Sequence, residues 1–240
     1  MPSAAADVAA NIEAVRERIA TAAARSGRAA GAIRLVAVSK TFGADLVRAA
    51  VAAGQQSFGE NKVQEGLAKA ETLSDLSLEW HLIGHLQSNK ARKAAATFGW
   101  IESIDRLDLL TKVDDAANEA GTRPRILVQV DLAHEATKHG ADEGAVADLV
   151  RAALEARAVD CRGLMTVPPF PTHPEDSRPW FRQLRELRDR LVANGLPADR
   201  LVELSMGMSQ DFEVAIEEGA TLVRVGTAIF GRRVPPPPAP

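Results

Sequence analysis

The chain of 240 residues is 46% hydrophobic and 25% charged, the proportions of an ordinary soluble globular protein. Its net charge of −3 gives no basic surface, so nucleic acid is excluded as an expected partner. No apolar run reaches the length of a transmembrane helix, and charges interrupt residues 1–25, which excludes a membrane span and a secretory signal. Because the single cysteine, Cys161, allows no internal disulfide, we expect a cytoplasmic protein.

The chain alternates between short β-branched runs and Ala-, Arg- and Glu-rich stretches with apolar residues three and four apart. The β-branched runs are typical of buried parallel strands, and the second pattern is typical of amphipathic helices. A first helix is predicted over residues 4–27, closed by Gly27. Eight strands are predicted after it, each followed by a helical pattern, at residues 33–38, 56–58, 80–83, 100–104, 125–130, 163–166, 201–204 and 222–225.

Eight strand–helix units in a chain of this length predict an α/β fold, the (β/α)8 TIM barrel, with an extra N-terminal helix. A doubly wound sheet, the alternative, usually has fewer strands and a Gly-rich turn after the first one. Here the first strand ends in Ser39-Lys40-Thr41, which favours the barrel. We expect residues 1–231 to form one domain and the Pro-rich residues 232–240 to be a disordered or polyproline-type tail.

Polar residues that follow barrel strands meet at the carboxyl-terminal rim, where chemistry is usually located. Lys40 directly follows the first strand, where partial desolvation would lower the pKa of its amine. A neutral amine there can form a Schiff base with a carbonyl compound, whereas the alternative is a solvated lysine that begins a loop. His85 ends the third strand on the same rim, and His139 is expected in a solvated loop. With one cysteine and no His-Glu-x-x-His motif, no metal site is expected.

The segment from Ser205 to Thr227 carries the strongest local signal for a ligand. Ser209 is placed to cap the next helix, and the free N–H groups of that cap, together with Gly226, can hold a phosphate. An ordinary helix cap and a packing glycine are the alternative. Arg224 lies two residues before Gly226 and so faces the same side of the last strand. As a buried cation it needs an acceptor, either a pyridine nitrogen or a carboxylate such as Glu203.

Six motifs occur in order at residues 36–40 (VAVSK), 58–61 (FGEN), 80–90 (WHLIGHLQSNK), 163–166 (GLMT), 204–209 (LSMGMS) and 223–231 (VRVGTAIFG). Together they resemble the pyridoxal phosphate homeostasis proteins, a family similar to the N-terminal barrel of alanine racemase. The resemblance implies pyridoxal 5′-phosphate bound as an aldimine to Lys40, with Arg224 at the ring nitrogen. It further implies phosphate contacts from Ser209, Gly226 and Thr227, with Asn61, Ser205 and Met206 among the residues that bind the cofactor.

Lys62 departs from the family, because many relatives carry an aromatic residue there. This second amine is either a transfer point for the cofactor or a solvated helix start, and we favour the latter. An arginine at the pyridine nitrogen keeps that nitrogen unprotonated, which makes the ring a poorer electron sink. Alanine racemase takes its second base from a tyrosine on a separate C-terminal domain, whereas this chain ends with the barrel and contains no tyrosine.

We therefore expect a monomeric protein, not an enzyme, that carries or buffers pyridoxal phosphate in vitamin B6 and amino-acid homeostasis. Its expected partners are the cofactor, amino acids and pyridoxal phosphate-dependent apoenzymes. A racemase-like enzyme that acts on amino acids through the same lysine is the alternative. A Schiff-base aldolase without a cofactor is a third possibility, and Arg224 argues against it.

Overall fold

The computed structural model describes residues 4–133 and 139–231, in which eight parallel strands close into a barrel surrounded by helices. The strands follow one another around the barrel in chain order, and the last pairs with the first, with Val223 opposite Leu35. This arrangement confirms the predicted (β/α)8 barrel and excludes the doubly wound sheet, which is open. The proline-rich residues 232–240 lie outside the described residues.

The strands are β1 Arg34–Val38, β2 Ser57–Glu60, β3 Glu79–Leu82, β4 Trp100–Ile104, β5 Arg125–Val130, β6 Asp160–Thr166, β7 Glu203–Ser205 and β8 Leu222–Val225. The helices are α1 Ala4–Arg25, α2 Ala44–Ala52, α3 Val63–Thr72, α4 Ala91–Thr97, α5 Leu107–Ala120, α6 Glu143–Glu155, α7 Arg178–Ala193, α8 Phe212–Glu217 and α9 Thr227–Phe230. Within the described ranges, no helix is both long and apolar enough to cross a membrane.

Two strands, β6 and β7, begin more than one residue from their predicted starts, for identifiable reasons. β6 begins at Asp160 rather than at residue 163, because the ladder with β5 already pairs Cys161 with Ile126. The charged residues that flank Cys161 interrupt the apolar pattern, so the first residues of β6 could not be recognised as strand in the sequence. β7 begins at Glu203 rather than at residue 201, because Leu201 closes a short 3₁₀ turn and is buried there without strand pairing.

The predicted first helix, α1, packs against α2, α8 and α9 on the outside of the barrel. Its buried stripe has the spacing of an amphipathic helix and consists of Val8, Ile12, Val15 and Ile19. Asn11 donates a hydrogen bond to the carbonyl of Ile229 at 2.9 Å, and Arg18 pairs with Glu213 at 2.8 Å. The helix thereby braces α8 and α9, which flank the rim after β7 and β8.

The barrel interior contains a small apolar layer and several buried polar side chains. Trp100, Leu127 and Met165 form the apolar layer, which is separate from the larger core between the barrel and the helices. Side chains alternate across each strand, so Glu102 lies on the same face as Trp100. Glu102 is fully buried, and a buried carboxylate requires hydrogen-bond or charged partners inside the barrel.

Candidate functional site

The carboxyl-terminal rim of the barrel opens into a cavity of about 620 Å³, a size typical of small-molecule sites. Six of the residues predicted from the sequence line it: Lys40, Asn61, Ser209, Arg224, Gly226 and Thr227. Apolar side chains that the sequence reasoning missed complete the wall, among them Phe42, Ile83, Val167 and Phe170. Phe170 is 77% exposed at the opening, so part of this wall is an apolar lip in contact with solvent.

Lys40 reaches the cavity because of the alternation of β1. Val38 and Lys40 both line the cavity, whereas Ser39 between them is fully buried on the opposite side. Lys40 itself is half-buried, as its position at the end of a buried strand predicts. The structure therefore presents one primary amine to the same space as Arg224.

The hydroxyl of Ser209 does not cap the helix that follows it, which corrects the sequence prediction. Its Oγ accepts the backbone N–H of Gly226 at 3.1 Å and of Ala228 at 3.3 Å, across the rim. Asp211 precedes α8 instead, and its carboxylate accepts the N–H of Met208 at 2.7 Å. Two backbone donors therefore meet a hydroxyl at the cavity wall, and an anion can accept the same N–H groups.

Gly226 keeps that corner of the cavity close to the backbone. A Cβ at this position would lie 3.3 Å from the carbonyl oxygen of Val38 and 3.4 Å from its Cβ. Since β1 would have to give way to a side chain there, glycine allows the β8–α9 connection to pack closely against β1, as the alternative of a packing glycine predicts.

Arg224 is the buried cation of the site, only 4% exposed. Its Nη1 donates to Ser205 Oγ at 2.5 Å and its Nη2 to the carbonyl of Thr166 at 2.7 Å. Burial lowers its pKa, and the nearby carboxylate of Glu102 opposes this effect. A guanidinium has five N–H donors, so these two bonds leave capacity for an acceptor on a ligand.

Glu203, the carboxylate proposed from the sequence as the partner of Arg224, does not serve that role. The partner is Glu102, which is linked through Ser205, whose hydroxyl donates to Glu102 Oε2 at 2.5 Å. This contact could not be predicted from the sequence, because Glu102 and Ser205 are 103 residues apart.

Ser205 and Met206 do not line the cavity as the family resemblance implied. Both are fully buried. Ser205 lies beneath Arg224, and Met206 packs in the core between the barrel and the helices. Met208, two residues later, lines the cavity in their place.

A chain of polar contacts continues from Arg224 and Ser205 through the barrel interior. His81 Nδ1 lies 2.7 Å from Glu102 Oε1, and His81 Nε2 lies 3.4 Å from Glu79 Oε2. Burial favours neutral His81, but the two carboxylates outweigh it and raise the pKa of the imidazole above 6.5. The hydrogen bond to His81 lowers the pKa of Glu79 to about 2. His81, which lies between two carboxylates, therefore supports Glu102 and, through Ser205, Arg224.

Replacing His81 with glutamine is expected to destabilise the protein by about 1–3 kcal/mol, because the buried carboxylate of Glu102 loses the hydrogen bond to the imidazole and keeps only Ser205 and Arg224. The folded-state pKa of His81 lies above the unfolded value of 6.5, so the contribution of His81 to the free energy of unfolding is complete below pH 6.5. It is lost as the pH rises through the folded-state pKa. Urea unfolding at several pH values should show that the stability advantage of wild type over His81→Gln shrinks toward alkaline pH.

His173→Gln is the matched control, since His173 is exposed. It should leave both the stability and its pH dependence close to wild type. A stability difference between wild type and His81→Gln that grows with rising pH would contradict the raised pKa of His81.

His85, Asp105 and His139 form a cluster on the rim that the sequence reasoning missed. Their ligand atoms lie within 4.8 Å of one another, and the rings of His85 and His139 stack with centroids 3.6 Å apart and planes 15° apart. His139 is exposed, as the prediction of a solvated loop implies. However, its ring stacks on His85 rather than being surrounded by solvent. A zinc ion about 2 Å from a histidine nitrogen lies near the plane of that ring. Two stacked, nearly parallel rings share no such point, so this arrangement does not bind one ion through both histidines.

Lys62 is exposed and directly precedes α3. This position agrees with the prediction of a solvated helix start. It does not line the cavity, in contrast to Lys40.

The chain is similar to known proteins over nearly its whole length. Residues 10–234 match the family model of the alanine racemase N-terminal domain. The chain is 45% identical over 219 residues to the pyridoxal phosphate homeostasis protein of Aquifex aeolicus, covering 91% of this chain and 95% of that protein. It is 41% identical over 233 residues to the Escherichia coli K12 protein of the same name, covering 95% and 97%.

Solved structures show the same similarity. PipY of Synechococcus elongatus, in a structure with pyridoxal phosphate bound, has a TM-score of 0.79 and 42% identity, covering 90% of this chain and all of that chain. Alanine racemase of Streptomyces coelicolor has a TM-score of 0.73 but only 24% identity, covering 95% of this chain and 59% of the racemase. The racemase comparison therefore shows a shared barrel fold.

Proposed function

Because the chain belongs to the pyridoxal phosphate homeostasis protein family, we propose that it binds pyridoxal 5′-phosphate in the rim cavity and carries or buffers this cofactor. One observation carries the proposal: a primary amine and a buried guanidinium line a single cavity, and two backbone N–H groups converge on a serine hydroxyl at its wall. They belong to Lys40, Arg224, Gly226 and Ala228. This set matches the three chemical ends of the cofactor, namely an aldehyde, a pyridine nitrogen and a phosphate.

The residues present suit each of these ends. When bound, the cofactor supplies an aldehyde that condenses with amines and a ring that withdraws electrons. Lys40 would hold the aldehyde carbon as a Schiff base, and Arg224 would donate an N–H to the ring nitrogen. Ser209, Gly226 and Thr227 would hold the phosphate, and Asn61 lines the facing wall.

The contacts of Arg224 argue against transamination chemistry. Ser205 and Thr166 fix the guanidinium, and Glu102 offsets its charge from below. A guanidinium cannot give up its proton to the ring nitrogen, so the ring would remain unprotonated and a weak electron sink. The ring would then be poorly suited to transamination, whereas racemisation would depend on a second base.

The residues that could supply a second base also favour the carrier. None of the histidines that the structure describes lines the cavity, and the chain contains no tyrosine. Asp211 lines the cavity, but its two oxygens accept hydrogen bonds from Met208 and Ser177, each at 2.7 Å. We extend the proposal to a cytoplasmic monomer that exchanges the cofactor with amino acids and apoenzymes through the open rim.

A spectroscopic titration tests the proposal. The wild-type protein should turn yellow on addition of pyridoxal phosphate and saturate at an equimolar ratio. Borohydride should then bleach the colour, and peptide mass spectrometry should find the reduced cofactor on Lys40. A colourless protein that takes up no cofactor, or a reduced cofactor found on Lys62 instead, would refute the proposal.

A further inference from the structure

The residues on either side of Lys40 are held from outside the barrel by side chains of α3. The carbonyl of Ser39 accepts a hydrogen bond from Lys69 Nζ at 2.7 Å. On the other side, the backbone N–H of Thr41 donates to Glu65 Oε1. Side chains of α3 therefore form hydrogen bonds to the main chain on both sides of Lys40.

Lys69 is the central residue of a cluster that also contains Glu60, Glu65 and Ser39. Its Nζ lies 2.6 Å from Glu60 Oε1 and 2.9 Å from Glu65 Oε1, and its side chain is only 9% exposed. Glu60 is fully buried and also accepts the hydroxyl of Ser39 at 2.7 Å. Burial raises the pKa of Glu60 although Lys69 and Ser39 both donate to it. Since one ammonium serves both carboxylates, the contacts on the two sides of Lys40 form one network.

Thr41 shows that the main chain at this point is under constraint. Its φ of +70° is the single positive value at a non-glycine residue within the described ranges. The left-handed region is unfavourable for a β-branched residue and persists only where the surroundings enforce it. The Thr41 N–H bond to Glu65 holds it here together with the turn hydrogen bond from the Phe42 N–H to the Ser39 carbonyl at 3.0 Å, and Lys69 donates to the same carbonyl.

We propose that Glu65 and Lys69 are positioning residues for Lys40, fixing the main chain on both its sides so that its amine is presented to the cavity. The inference rests on the proposed function, because it concerns the amine that would hold the cofactor. Neither side chain lines the cavity, so both act through the backbone of Ser39 and Thr41. In Schiff-base formation the amine nitrogen attacks the aldehyde carbon and water leaves, and a prepositioned amine reaches that geometry faster.

Stopped-flow absorbance after mixing with pyridoxal phosphate measures the rate of this step. Glu65→Leu and Lys69→Met are each expected to slow it by about 10²-fold, the usual cost of a small misplacement of a reacting group. Glu65→Gln keeps an acceptor for the Thr41 N–H and should remain close to the wild-type rate. Glu71→Leu is the matched control, because it makes the same type of change at an exposed position of the same helix.

The outcomes separate this inference from the proposed function. If wild type forms no Schiff base, the proposed function fails and the inference fails with it. If wild type reacts and folded Glu65→Leu reacts as fast as Glu71→Leu, the inference is wrong while the proposed function stands. Loss of melting temperature without loss of rate would make the cluster merely structural and would also overturn it. If Lys69→Met does not fold, the two Glu65 variants test the inference by themselves. The Glu65 side chain is 26% exposed, so its replacement is better tolerated by the fold.

Discussion

Replacing Lys40 with alanine is expected to abolish the yellow Schiff-base absorption and the borohydride-stable adduct completely. No other residue of the cavity wall supplies a primary amine within the described ranges, so no other Schiff base can form there. Folding should survive, because Lys40 is half-buried at the rim rather than within the packed layers of the barrel. We expect the free energy of unfolding to change by less than about 1 kcal/mol, as at most surface positions.

Lys62→Ala is the matched control for this experiment. It removes the same kind of charge from a nearby exposed position, and it should retain colour and adduct. Equilibrium dialysis should still detect weaker, non-covalent binding to Lys40→Ala, because Ser209 and the N–H groups of Gly226 and Ala228 are unchanged. An adduct that survives in Lys40→Ala and disappears in Lys62→Ala would contradict the assignment.

The barrel could be predicted from the sequence because its signal is repeated and local. Each β-branched run and each apolar stripe is specified by neighbouring residues, and eight repeats of that pair leave few possible architectures. Positions such as Lys40 and Gly226 follow from the same logic, because the end of a strand places a residue at the rim. The six motifs identified the family, and the comparisons confirm that assignment.

The contacts beneath the site could not be predicted, because they join residues far apart in the sequence. Glu102 supports Arg224 through Ser205, and Ser209 bonds to Gly226 rather than to its own helix. A serine before a helix predicts a local cap, but here two donors across the rim compete successfully for its hydroxyl. The pair Glu65 and Lys69 has the i, i+4 spacing of an ordinary exposed helix pair, so its contacts with the main chain around Lys40 could not be predicted from that spacing.

Incubation of the cofactor-loaded protein with L- or D-alanine in heavy water is expected to give no multi-turnover inversion. Racemisation requires a base on one face of the substrate and an acid on the other, and each positioned group is worth about 10²–10⁴-fold. Lys40 can serve one face. For the other face the chain has no tyrosine, and Asp211 is held by Met208 and Ser177.

NMR of the Cα deuterium content and chiral chromatography measure exchange and inversion separately. Exchange with retention means that Lys40 acts alone as a base, which a carrier tolerates as a side reaction. His85 stacks on His139 outside the cavity, so His85→Ala should leave both quantities unchanged. Borohydride-treated protein, in which Lys40 is blocked, gives the zero level for exchange. Multi-turnover inversion that disappears in His85→Ala would instead assign the second base to His85, and the protein would then be an enzyme rather than a carrier.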